Sequence, residues 1–348
     1  MPKMFDFNAG NYADAFAEHG YVHIPGGLSE DFHARLVKYV EDSFEQRYLK
    51  DFARGDKQQA MFEFLESEHY DELRKTVATI CDVDVQSLTL SERHVKEYEL
   101  SADPHPLAHK DRFGSEFAVG FSIRVPEGST LVMYPEHDVS ANPFNSTAEL
   151  RSSFSTHELP DAELKNAPRV EIQDRPRDVQ IFRGNAIWHL REHGAGTTVL
   201  YLKLNTYNCD TLGEDPHTFE ARQQTLALVD SPPSKWKASI PVIARRVDYI
   251  HRRYNRDWNE LFGVVIYGQP HATITGVQFE ALRAMDGRRT VAEISWQMEH
   301  LGEGGDVPEA IRQLALRGIV DLLAMPIAMG QTRRTALTQA ASPYAISN

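Results

Sequence analysis

Between His94 and Leu204 the apolar residues fall in short extended runs separated by turn-rich stretches, and this pattern restricts the fold more than any other feature. His94 to Leu100 alternates in polarity, and further runs occupy 117–123, 131–134, 179–182 and 198–204. Ahead of them the periodicity is different. From Tyr12 to Phe44 it predicts helix, strand, helix, with Gly20 to Pro25 extended and Ser29 capping a helix that carries Phe32, Leu36, Val40 and Phe44 on one face. A second helical stretch spans about 62–80. Helices first and strands afterwards predict an α+β domain around an all-β core.

The length of 348 residues suits one large domain and a smaller one. A formal charge of -13 opposes non-specific nucleic-acid binding, which needs a concentrated basic surface. No apolar stretch is long enough to span a bilayer and the N-terminus lacks an apolar secretory core, so a cytoplasmic protein with neither nucleic acid nor membrane as partner is expected. Cys81 and Cys209 provide no disulfide framework and no C-x-x-C zinc spacing, and are read as buried thiols.

The texture changes after Asp230-Ser231-Pro232-Pro233-Ser234, read as a boundary. A basic helical connector is expected from about Ile240 to Arg256. Thr275 then precedes a helix with Phe279, Leu282 and Met285 that stops near Gly287, Thr290 to Glu293 fits a capping box, and a third helix runs from Asp306 to Arg317 before Gly318. Ile319 to Leu323 reads as a strand. The expected organisation is a β-core domain over 1–230, a linker and connector helix over 231–257, a small α-helical winged-helix-like domain over 258–329 and a flexible tail over 330–348.

The chemistry concentrates in His109-Lys110-Asp111. Residues two apart on an extended segment point the same way, so a histidine and a carboxylate there can share one ion, with His189 as the third ligand from a distant strand. Two imidazoles and one carboxylate leave the opposite face of iron(II) open, the arrangement of non-haem iron oxygenases. His69-Tyr70-Asp71 has the same spacing but lies in a helical pattern, where residues two apart diverge, and is expected on a solvated face. His193 is the alternative to His189. His105 precedes His109 by four, but Pro104 and Pro106 exclude a helix there. His94, Lys96 and Tyr98 share one strand face and either line the pocket or pack at an edge.

Residues from about 12 to 207 resemble the phytanoyl-CoA dioxygenase-like branch of the iron(II)/2-oxoglutarate oxygenases. The resemblance is carried by Phe16 to Ser29, by His109-x-Asp111 and by the segment Asp178 to His189. It implies a double-stranded β-helix of the jelly-roll or cupin-like kind, metal and catalytic roles for His109, Asp111 and His189, and iron(II), 2-oxoglutarate and dioxygen as cofactor and co-substrates. The family's arginine after the distal histidine, which clamps the far carboxylate of 2-oxoglutarate, is missing from Gly196 to Lys203; Lys203, Arg124 and Arg191 are the candidates to replace it. Phe279 to Ile294 resembles winged-helix domains attached to some iron oxygenases and the small peptide-binding proteins of modified-peptide biosynthesis. The implied activity is hydroxylation of a C–H bond in a small biosynthetic or carrier-presented molecule, the C-terminal module either presenting substrate or forming a homodimer. Two alternatives stand beside it: a cupin-type metalloenzyme that does not use 2-oxoglutarate, and a regulatory or peptide-binding protein with a metal-sensing β-core.

Overall fold

Successive side chains of a strand point to opposite faces of its sheet, so the alternating runs dictate a two-faced structure. The computed structural model describes residues 3–45, 57–302 and 305–324. The chain forms two compact units, the first ending at Asn205 and the second beginning at Thr206. The first opens with α1 (Ala13–His19), β1 (Tyr21–Ile24), α2 (Glu30–Glu45), β2 (Lys57–Met61) and α3 (Ser67–Cys81). Gly20, at φ 73°, closes α1 with its N–H on the Phe16 carbonyl, a left-handed position that glycine adopts without strain. The Ser29 hydroxyl accepts the N–H of Phe32 at 3.2 Å, which is the expected cap of α2.

The core follows as β3 (Thr89–Tyr98), β4 (Phe117–Arg124), β5 (Thr130–Tyr134), α4 (Thr147–Ser153), α5 (Asp161–Leu164), β6 (Val170–Ile172), β7 (Val179–Phe182), β8 (Trp188–Glu192) and β9 (Thr198–Asn205). One antiparallel sheet has the order β1-β7-β4-β9-β3-β2 and a second the order β6-β5-β8. A single bridge between His109 and His189 adds a rung to the outer side of β8. From β3 onward the chain visits large sheet, small sheet (at His109), large, small, small, large, small, large. This is the winding of a double-stranded β-helix, the fold the sequence predicts.

Alternation separates the two faces of the large sheet. Val95, Val119, Phe121, Ile181, Leu200, Leu202 and Leu204 join one apolar core with Phe16, Phe32, Leu36, Leu73 and Val77 of the helices. The opposite face is set by register: Lys203 lies across from Ala118 and Glu92, and Tyr201 across from Gly120 and His94. This face looks towards the small sheet, where Ala118 and Phe182 pack with Leu131, Met133, Ile172 and Ile187. The outer face of the small sheet is covered in turn, Val132, Tyr134, Trp188 and Leu190 packing with Leu150 of α4 and Leu164 of α5.

The second unit contains α6 (Pro216–Val229), β10 (Ile240–Ile243), β11 (Val247–Tyr254), β12 (Glu260–Ile266), β13 (Ala272–Ile274), α7 (Gly276–Ala284), α8 (Val291–His300), α9 (Val307–Leu316) and β14 (Val320–Leu323). β11-β12-β13 form one sheet, and β10 pairs with β14. The capping boxes of Thr275 with Gln278 and of Thr290 with Glu293 are both formed, and Gly318 follows α9 at φ 75°.

Three expectations need correction. The helical connector at 240–256 is β10 and β11: Pro241 is unsuited to a helix interior, and the basic run after Tyr249 alternates on a strand paired with β12. Strands thus accompany the helices of the small domain. The compact units divide at 205/206 instead of 230, since Val229 and fully buried Trp236 belong to the second apolar core and the Trp236 indole donates to the Ser231 carbonyl at 3.0 Å. His69 lies on α3 as expected but is buried, its ring edge-on to Phe32 at 5.0 Å, instead of facing solvent. The tail at 330–348 lies outside the described residues, and among those described no helix is long and apolar enough to cross a membrane.

Leu202 sits at the centre of the helix-covered face with no exposure. Leu202→Ala should destabilise the protein by about 2–5 kcal/mol in urea denaturation, through lost transfer energy and the cavity left behind.

Candidate metal centre

His109 and His189 come from segments 80 positions apart and are joined backbone to backbone, the N–H of each donating to the carbonyl of the other at 2.9 Å. Two residues further on, the Asp111 N–H donates to the Gly184 carbonyl, also at 2.9 Å. The segment 109–111 is thus pinned along the corner where the chain leaves β7 for β8. Alternation does the rest. His109 and Asp111 turn inward, while Lys110 turns outward and donates to the carbonyls of Asp138 and Ser140, both at 2.7 Å, and to the Asp138 carboxylate at 3.0 Å. Asn142 of the same loop donates to the Asp111 carbonyl at 2.8 Å.

The ligand atoms offered by His109, Asp111 and His189 lie within 4.8 Å of one another. The imidazole rings of the two histidines are 4.5 Å apart, and His189 Nε2 is 3.9 Å from Asp111 Oδ2. His189 Nδ1 is 2.9 Å from the Ile187 carbonyl. A carbonyl only accepts, so Nδ1 carries the proton and Nε2 presents its lone pair towards the triad, the tautomer a metal ligand needs. Gly184 is required for close approach: a Cβ there would lie 2.6 Å from Asp111 Oδ2 and 3.0 Å from the Ser115 carbonyl.

Burial pushes the Asp111 carboxyl up, but the neighbouring cations, Lys203 foremost and Lys96 with it, outweigh it and hold the group below the usual carboxylate range. A ready-ionised carboxylate beside two imidazoles is a donor set that fits a divalent transition metal. Nearby, burial likewise opposes ionisation of Glu92, yet Lys96 at 2.9 Å and Arg112 keep it charged.

The other predicted residues are placed differently from one another. Lys203 is buried and its ammonium pairs with Asp111 Oδ2, 4.8 Å from the centre of the Tyr201 ring. Arg191 is buried on β8 and grips Asp174 with two bonds, at 2.8 and 3.1 Å, with Ser129 as a third partner. Arg124 lies at the end of β4 with its side chain 44% exposed and pairs with Glu41 at 2.5 Å, away from the interior. His193 is not part of the triad; its ring packs edge-on against His105 at 4.8 Å. His94 and Lys96 face the interior beside Glu92. Glu92 and Arg112 were not singled out in the sequence, although the polar alternation Glu92-x-His94-x-Lys96 within a buried strand was a signal for the first.

If the three ligands share one metal, alanine at His109, Asp111 or His189 should each abolish stoichiometric iron(II) binding, measured by metal analysis after gel filtration, with circular dichroism unchanged. His193→Ala should retain the metal. Metal retained after loss of His189 would exclude this triad.

Comparison with protein-family models and with curated proteins gives no match. Among solved structures the chain is similar to the non-heme alpha ketoglutarate dependent carbocyclase SnoK from nogalamycin biosynthesis, at 17% identity and a TM-score of 0.43 over 58% of this chain and 87% of that one. It is also similar to a Pseudomonas putida prolyl-4-hydroxylase, at 14% identity and a TM-score of 0.39 over 57% and 98% of the two chains. A third similarity is to HygX from Streptomyces hygroscopicus, crystallised with nickel, 2-oxoglutarate and hygromycin B, at 14% identity and a TM-score of 0.38 over 56% and 85%.

Proposed function

We propose that the first unit holds iron(II) through His109, Asp111 and His189 and hydroxylates a C–H bond of a small biosynthetic or carrier-presented molecule, consuming 2-oxoglutarate and dioxygen. The observation that carries this reading is the inward-facing pair of imidazoles and one ionised carboxylate, pinned by backbone bonds inside a β-helix. Bound there, iron(II) with its two co-substrates supplies oxidation of an unactivated C–H bond, with succinate and carbon dioxide as by-products.

The chain's own residues prepare the site for a dianionic co-substrate. Asp111 cannot give its charge to a metal ion and to Lys203 alike. Once Asp111 acts as a ligand, the Lys203 ammonium is a buried cation in need of another anion, because an uncompensated charge there is costly. The far carboxylate of 2-oxoglutarate meets that need. Arg191 is less suited, since its guanidinium is already committed to Asp174, and Arg124 faces solvent. Lys96 and Arg112 share Glu92 and keep the surroundings from becoming negative. The second unit, which resembles a winged-helix module in its three capped helices, is assigned the presentation of substrate or the joining of two copies.

Lys203→Met should weaken 2-oxoglutarate binding about 10- to 100-fold, the loss of a charge-assisted hydrogen bond of about 1.5–3 kcal/mol. Iron binding should persist, since a competitor for Asp111 has been removed. Anaerobic titration of the iron(II) protein, followed by the visible absorption of the keto acid chelate, measures this, with Arg124→Ala as a control that should bind normally. No chelate in the wild type, or turnover without succinate, would favour a cupin-type metalloenzyme that uses no keto acid.

A further inference from the structure

The second unit has a cavity of its own, of about 350 Å³, between α6, the link from β10 to β11 and the end of α9. Four guanidinium groups line it: Arg222, Arg245, Arg246 and Arg317. In a chain with a formal charge of -13 this is an unusual concentration. Two of the four are compensated. Arg222 lies 3.6 Å from Asp321, the acid in the lining, and Arg245 lies 3.6 Å from Asp215 and donates to Asn208 at 2.7 Å.

The other two are not. Arg317 donates to the Thr273 carbonyl at 2.8 Å and has no carboxylate partner among the described residues. Arg246 has neither an ion pair nor a side-chain hydrogen bond among the described residues, and its Nε is buried without an acceptor. Its guanidinium is held against Gly213, where a Cβ would lie 3.1 Å from that nitrogen. Arg252, Arg283, Arg289 and Arg312 of the same unit each hold a carboxylate, whereas exposed Arg253, Arg256 and Arg288 hold none among the described residues; Arg317 is exposed like these three, and its place in the lining and the buried Nε of Arg246 set this pair apart. A buried N–H donor without a partner costs free energy, which a ligand that accepts from it recovers.

We propose that this cavity is a binding site for a small organic phosphomonoester, its phosphate held by Arg246 and Arg317 and its organic part lying against Phe219. The charge matches: a phosphomonoester carries about -1.5 to -2 at pH 7, against the two uncompensated guanidinium groups. Planar guanidinium groups donate in pairs to phosphate oxygens, which favours that anion over a single carboxylate. Phe219 is 69% exposed and lines the cavity, giving an apolar surface for the rest of the molecule. The volume lies near the lower end of small-molecule sites, roughly 300–1,000 Å³, and so fits a metabolite better than a polymer. The site uses no residue of the metal centre and stands or falls independently of it.

Isothermal titration of the full chain with inorganic phosphate, phenyl phosphate and succinate tests this. Both phosphates should bind saturably, phenyl phosphate the more tightly, and succinate at least tenfold more weakly. Arg246→Gln and Arg317→Gln should each weaken phosphate binding about tenfold or more, while exposed Arg253→Gln leaves it unchanged. Phe219→Ser should remove the preference for phenyl phosphate and leave inorganic phosphate unaffected. Circular dichroism of each variant establishes that the fold is intact. The proposal is overturned by an absence of saturable phosphate binding up to about 10 mM, by equal binding in Arg246→Gln, or by succinate binding as tightly as phosphate.

Discussion

The reciprocal pair of backbone hydrogen bonds between His109 and His189 is the interaction on which the architecture of the first unit turns. It adds the segment 109–111 to the small sheet at the corner where β7, in the large sheet, gives way to β8. Two histidines distant in sequence are thereby set side by side by main-chain atoms alone, and the Asp111–Gly184 bond sets the carboxylate beside them. The side chains need only extend inward. A site anchored in this way does not depend on a ligand to assemble it, which lowers the ordering cost of binding one.

The large sheet shows what the arrangement costs. Its outer face is an ordinary apolar core under helices, whereas its inner face buries Glu92, Lys96 and Lys203. Taking such charges out of water is expensive, and an ion pair recovers that cost only with good geometry and further hydrogen bonds. An apolar interior of the same shape would be at least as stable. The charges are better understood as a preorganised polar environment, in which each ion keeps a partner. Arg191 and Asp174 come nearest to this condition, Ser122 and Gln180 donating to Asp174 and Ser129 accepting from Arg191, although Arg191 Nε is buried without an acceptor.

Much of this was legible in the sequence because it depends on strand alternation. A period of two is visible in a single chain, and it places His109 with Asp111 as surely as it separates Leu202 from Lys203. The helix caps at Ser29, Thr275, Thr290 and Asp306 were equally visible, being local bonds over two or three residues. What failed was information carried by tertiary pairing. Residues 240–256 are polar enough to suggest a solvated helix, and only their pairing with β12 and β14 makes them strands. His69 reads as surface until Phe32 is known to cover it. The partner of Lys203 was likewise hidden, because 92 residues separate it from Asp111 and nothing local joins them.

Under the proposed co-substrate role, that partner accounts for a lysine at position 203, a little beyond where the resemblance places the arginine. A guanidinium facing Asp111 would lock the carboxylate with a planar fork, as Arg191 locks Asp174 with two bonds. Such a fork would compete with a metal for the oxygens the metal requires. An ammonium on a flexible stem is a point charge that can hold Asp111 ionised and then turn to another anion without breaking a bidentate contact. Tyr201 suits such a point charge, because its ring, 4.8 Å from the ammonium, stabilises the cation without fixing its direction. Arg191 and Lys203 thus differ by chemistry: Arg191 holds Asp174 through a planar fork, and Lys203 holds Asp111 as a point charge.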